Sequence, residues 1–174
     1  EITNNFKYYR GKHTFTIGTH NEFFKFRNLF INNLNGRWDF NSVADYINNV
    51  PARVRVTYSA IPGQDRPSAE FSAAQLGFYA QDEIDAATGL RLTVGVRVDI
   101  PLLNDKPLRN ENVEQDFPGL RTDQTPSGKL LFSPRIGFNY DVTGDRTVQL
   151  RGGAGIFTGR VPFVWMSNQF VNNG

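Results

Sequence analysis

The chain of 174 residues has no cysteine and only two histidines. Without cysteine there are no disulfides, which suits an envelope protein that needs none and a cytosolic protein equally well. Long apolar runs are missing too. No stretch approaches the roughly 20 consecutive apolar residues of a membrane helix, and the opening EITNNFKYYR lacks the apolar core of a signal peptide. A helical membrane protein is therefore excluded. Charge of one sign is also scarce, with 19 Lys and Arg against 17 Asp and Glu and a net charge of +2. Such a balance builds no strong field, so nucleic acid is not an expected partner. The chain lacks an initiator Met and stops at NQFVNNG without a terminal signature, so it reads as an excerpt of something longer.

What is present is aromatic. Phe and Tyr number 15 and 6, and aromatics make up 13% of the chain. Aromatic residues favour strands, and they form the girdles at both membrane interfaces of outer-membrane barrels. Low mean hydropathy does not argue against such a barrel, because each strand shows lipid only every second side chain.

The clearest strand is LRLTVGVRVDI, where Leu90, Leu92, Val94, Val96, Val98 and Ile100 alternate with Arg91, Thr93, Gly95, Arg97 and Asp99. Its apolar face is unbroken over the roughly 9 to 11 residues that a tilted strand needs to cross a bilayer. Strands of soluble sandwiches are commonly about half that length. The same alternation places strands at about 3–9, 12–26, 75–84, 89–101, 129–142 and 147–159. Their connections alternate between tight links and long polar excursions at about 27–74 and 102–128. Short turns on one side and long loops on the other is the outer-membrane arrangement. Both excursions are thus expected outside the cell. The first holds a strand-like piece at 36–40, a helix start with Ser42 as N-cap, and a further strand, RVRVTY, projecting beyond the membrane. The second, rich in Asn, Pro, Gly and acids, reads as exposed loop. The expected fold is all-β: one antiparallel transmembrane β-barrel domain, of which residues 1–174 supply about six long strands.

The polar face of these strands carries the candidate functional residues. Arg91, Arg97, Asp99, Arg135, Asp141 and Arg151 are expected to face the lumen, because a midplane Arg on the lipid face costs about 2 to 4 kcal/mol. Cross-strand pairing is the plain reading of these charges, and direct contact with a ligand the alternative. Trp38, Phe163 and Trp165 are candidates for an extracellular ligand or partner, with anchoring of Phe157, Phe163, Trp165 and Phe170 in an outer aromatic girdle as the plain reading. His13 and His20, seven apart on one strand, point to opposite faces and should not share a metal. The acidic run from Asp105 to Asp123 lacks the spacing of an EF-hand calcium loop. The glycine-rich run 152–159 has Thr158 where a dinucleotide fingerprint needs its third Gly. No nucleophile elbow and no acid–base carboxylate pair can be identified, so neither a catalytic site nor a cofactor is expected.

In order and spacing, LGFYAQDEI, LRLTVGVRVDIP, FSPRIGFNYDV and RTVQLRGGAGIFTGR, together with GKHTFTIGTHNEF and the GRWDFNS insertion, resemble the barrels of TonB-dependent outer-membrane receptors. The Oar-like branch is the nearest likeness. That resemblance implies a 22-stranded barrel gated by an N-terminal plug outside these residues. It further implies coupling to the TonB complex for uptake of a scarce small-molecule, glycan or peptide ligand. Two rivals stand beside it: a barrel serving as binding or assembly partner of an envelope lipoprotein or other protein, and a passive porin-like channel. A soluble β-sandwich is a third, in which the face of Leu90 to Ile100 would be buried.

Overall fold

The computed structural model describes residues 1–59, 62–66 and 68–171. Six long strands form one antiparallel sheet: β1 Ile2–Arg10, β2 His13–Asn28, β5 Ala69–Ala87, β6 Leu90–Leu103, β7 Leu131–Asp141 and β8 Gln149–Gly155. Each pairs with the next in that order, so the sheet is an open meander with β1 and β8 at its edges. In the first excursion β3 Arg37–Asp39 pairs only with β4 Arg53–Arg55, and the short helix α1 Val43–Ile47 lies between them.

The alternation in the sequence becomes two distinct faces. Ile17, Phe78, Val94, Ile136 and Leu150 project from one face, and all are exposed, from 46% at Val94 to 59% at Ile17. Among the described residues no second sheet covers this face, as the only other sheet is the β3–β4 hairpin. A soluble sandwich would lose roughly 1.5 to 3 kcal/mol for each such side chain left in water. Lipid is the solvent that removes this cost. On β2 this face carries Phe15, Ile17 and Phe23, with Thr19 and Asn21 bonded to each other between them at 2.9 Å, and ends at Lys25 and Arg27, the latter paired with Glu70 at 3.2 Å. Phe15 to Phe23 is about nine residues, the length needed to cross a bilayer at a tilt.

Three tight links join strands at one end of the sheet. Gly11 at φ +59° turns β1 into β2, and Gly89 at φ +75° turns β5 into β6. Both lie in the left-handed region, which costs a Cβ-bearing residue but not glycine. Between β7 and β8 the Asp141 carboxylate accepts from the backbone N–H groups of Gly144 (2.9 Å) and Arg146 (3.1 Å).

Several expectations need correcting at the opposite end. β5 begins at Ala69 rather than near 75, because Ala69–Asn28 and Phe71–Phe26 continue the β2 ladder well beyond the apolar band. RVRVTY is strand only over Arg53–Arg55, and it pairs with β3 rather than extending the large sheet. The second excursion is not wholly loop: Asn110 caps a helical turn, α2 Glu111–Asp116, accepting from the Asn112 N–H at 3.0 Å. Strand β8 stops at Gly155, short of 159, and the chain then forms the helix α3 Phe163–Val171. Ser42 does cap α1, accepting from the Asp45 N–H at 3.1 Å.

Helix α3 lies on the polar face and creates the small core of the described residues. Phe163 meets Phe24 and Phe26 at ring separations of 5.1 and 4.7 Å, and Phe170 stacks on Phe71 at 4.8 Å. Ala69, Phe71, Ala73 and Leu103 are buried there. Gln169 donates to the carbonyls of Thr122 (2.8 Å) and Gln124 (2.9 Å), which ties α3 to the second excursion. That excursion folds back on β6, where Gly128 N–H donates to Pro101 O at 2.7 Å.

Candidate functional site

The register arranges the polar face in rows across the sheet. One row holds Lys7, Thr16, Gln81, Gly95 and Arg135; the next, toward the long excursions, holds Asn5, Gly18, Tyr79, Arg97 and Ser133; the third holds Thr3, His20, Gly77 and Asp99. A glycine interrupts every row, and a long side chain crosses the gap it leaves. Tyr79 donates to Asn5 across Gly18, where an added Cβ would lie 2.5 Å from the tyrosine ring. Arg135 Nη2 donates to Gln81 Oε1 at 2.6 Å across Gly95, skipping strand β6 altogether. The Arg97 guanidinium lies over Gly77 and within 5.8 Å of the Tyr79 ring. Alternation alone places these glycines on the polar face; their role depends on what stands opposite them in the neighbouring strands.

The six expected lumen residues all lie on this face, but in different circumstances. Arg97 holds Asp99 through two bonds of 2.8 and 2.7 Å, an in-strand rather than a cross-strand pair. Asp99 is 1% exposed, and the Gln75 amide approaches it at 3.5 Å. Arg91 pairs across the sheet with Asp85 at 2.9 Å and more loosely with Glu83 at 4.0 Å. Asp141 is taken up by the turn described above. Among the described residues Arg151 donates only to Gln149, and Arg135 only to Gln81, both neutral amides.

Each histidine has a carboxylate neighbour. His13 Nδ1 lies 2.7 Å from Asp82 on the apolar face, near the tight-turn end, and its ring stacks on Phe15 at 5.5 Å. Between Ala74 and Ile84, Asp82 is the one break in the apolar face of β5, and sequence alternation alone assigned it no partner. His20, on the polar face, bonds Thr3 at 2.8 Å and lies 3.6 Å from Glu1 and 4.0 Å from Glu22. Glu1, His20 and Glu22 offer three ligand atoms within 4.8 Å of one another. Arg160 already donates to Glu22, so that carboxylate has a cation without a metal.

The three outer candidates separate. Phe163 turns inward onto the polar face, because the chain leaving β8 folds back through Arg160, which bonds Glu22 and sits 5.3 Å over the Phe24 ring. It therefore takes no place in an outer girdle. Trp165, on the same helix, is 69% exposed, and Trp38, packed on Gly36, is 52% exposed. Several charges outside the membrane band are paired locally, among them Arg37 and Arg55 with Asp39, and Arg121 with Asp123. The Arg37 guanidinium holds Asp39 below its ordinary pKa, and Arg121 does the same for Asp123. In the β7–β8 turn, hydrogen bonds from Thr143 and Thr147 lower Asp145 to about 2.

An uncovered apolar face wide enough for a bilayer, a polar face lined with guanidiniums, and tight turns opposed to long excursions define a barrel wall. No curated protein and no solved structure matches the chain. A family profile described as outer membrane beta barrel domain matches residues 1–174. The chain belongs to that outer-membrane β-barrel family, and its place is the bacterial outer membrane.

Proposed function

We propose that this barrel wall serves uptake: the excursions capture a ligand outside the cell, the polar face forms the path, and a plug gates it. The carrying observation is the polar face itself. Small barrels fill their interior with packed side chains, whereas this one presents Arg, Asp, Gln and Tyr to an interior that must be water or polar protein. Energy coupling through the TonB complex draws its support from the resemblance of the strand sequences. On this reading the chain performs no bond-making chemistry and needs no cofactor.

A growth competition tests the proposal. Cells deleted for the full-length gene, grown on a panel of scarce nutrients, should fall behind the parent on at least one. A protonophore should abolish the parent's accumulation of that nutrient. Equal growth across the panel would sink the uptake reading, and protonophore-insensitive accumulation would favour a passive channel.

A second reading draws on the first excursion, where Trp38, Val43, Tyr46, Ile47 and Tyr58 are all exposed, Tyr58 at 83%. Exposed apolar side chains in one excursion suit protein contact, and an envelope lipoprotein is the class of partner we propose. Affinity purification of the full-length protein should then yield a stoichiometric partner that is lost when residues 29–68 are replaced by a tight turn.

A further inference from the structure

The charges of the polar face do not cancel locally: among the described residues Lys7, Arg135 and Arg151 have no ion pair with a carboxylate. Every carboxylate on that face already has a partner. Asp99 is held by Arg97, Asp85 and Glu83 by Arg91, and Glu22 by Arg160; Glu1 lies beside His20, and Asp141 is taken by turn N–H groups. Of those three cations, Arg135 lines a cleft whose lining contains no carboxylate, whereas Arg151 lies beside Asp85 and Asp141. The row across the sheet from Lys7 to Arg135 contains no acid, and among the described residues no carboxylate lies within 4.0 Å of the Arg135 guanidinium. Within the described sheet β7 is paired on both edges, with β6 and β8.

Geometry makes this charge available. Gly95 clears the space beside Arg135, so its guanidinium reaches across β6, and among the described residues only its Nη2 is engaged. Arg97, in the adjacent row, likewise binds Asp99 through Nε and Nη2, and among the described residues its Nη1 has no hydrogen-bond partner. Thr3, His20, Tyr79, Arg97 and Arg135 line a cleft of about 350 Å³ at mid-height of the sheet. Two planar guanidiniums beside a polar cleft match a carboxylate, which accepts on two oxygens in one plane.

We propose that this cleft is a carboxylate-binding site centred on Arg135. The inference goes beyond the uptake reading and stands whether or not a solute passes through the barrel. Two sources present the same chemistry: a free carboxylate solute in the lumen, or an Asp or Glu side chain of another segment of the full-length protein.

The test uses the full-length protein in detergent micelles, as wild type, Arg135→Gln, Arg135→Lys and Gln81→Ala, with citrate as probe and glucose as neutral control. If the source is a solute, citrate binds saturably by calorimetry, weakens about tenfold or more in Arg135→Gln and is partly kept in Arg135→Lys. If the source is the protein's own carboxylate, citrate does not bind, and Arg135→Gln lowers Tm clearly more than Gln81→Ala, with Arg135→Lys between them. Gln81→Ala removes the one observed hydrogen bond of Arg135 and leaves its charge, so it isolates the carboxylate. Citrate binding unchanged in Arg135→Gln would overturn the proposal. So would an absence of citrate binding with equal Tm losses in Arg135→Gln and Gln81→Ala.

Discussion

Gly95 shows how much a missing side chain can organise. A Cβ there would sit 3.1 Å from Ala80 O and 3.4 Å from Arg135 Nε, so alanine fits with small shifts while a branched side chain would have to displace the Arg135–Gln81 bridge. Gly95→Val should therefore destabilise the folded barrel by about 1 to 3 kcal/mol and Gly95→Ala by clearly less, measured by urea titration of the refolded protein. A second residue-scale prediction concerns pH. Asp145, lowered to about 2 by Thr143 and Thr147, ionises more readily in the folded turn than in the unfolded chain. Its contribution is fully present above the ordinary carboxylate pKa and is lost as pH falls through about 2. Backbone N–H exchange at Thr147, which donates to Asp145 at 2.9 Å, should accelerate in that window, and Asp145→Asn should remove the acid-dependent step. The charges themselves were readable from alternation; which of them had partners was not, since Arg135 and Gln81 meet across an intervening strand.

Among elements, β6 and α3 stand at opposite ends of legibility. β6 is paired on both sides and alternates without error from Leu90 to Ile100, so period-2 patterning assigns its faces unaided. Val94→Arg should oppose membrane insertion by about 2 to 4 kcal/mol, while Thr93→Arg, pointing to the lumen, should have little effect. Heat-modifiable gel mobility after refolding into vesicles reads the difference, and equal losses at both positions would contradict the facing. α3 was not legible. Its sequence, FVWMSNQFV, follows a glycine-rich strand and looks like an exit from the membrane. What makes it a helix lying on the polar face is the Phe24, Phe26 and Phe71 surface waiting there, formed by residues far away in sequence. Phe163→Ala should release the helix at a cost of about 2 kcal/mol, seen as faster hydrogen exchange over 163–171, whereas Trp165→Ala, on the exposed side, should not.

For the whole molecule, the sheet and the first excursion are separable. β3 and β4 pair only with each other, while β2 and β5 are joined directly by a long ladder. Replacing 29–68 by a tight turn should leave the barrel folded, because shortening a loop changes its closure entropy by only about 0.6 kcal/mol per halving. Partner capture should be lost while heat-modifiable mobility is kept. The sequence alone determined the strands, their two faces and the side on which the loops lie, because these follow from a local period of two and from turn residues near one another in the chain. Only the tertiary structure decided that β5 runs back to Ala69, that α3 folds inward, and that Arg135 is left without a carboxylate. Each of those depends on register, which brings together side chains tens of residues apart and leaves no periodic trace in any one strand.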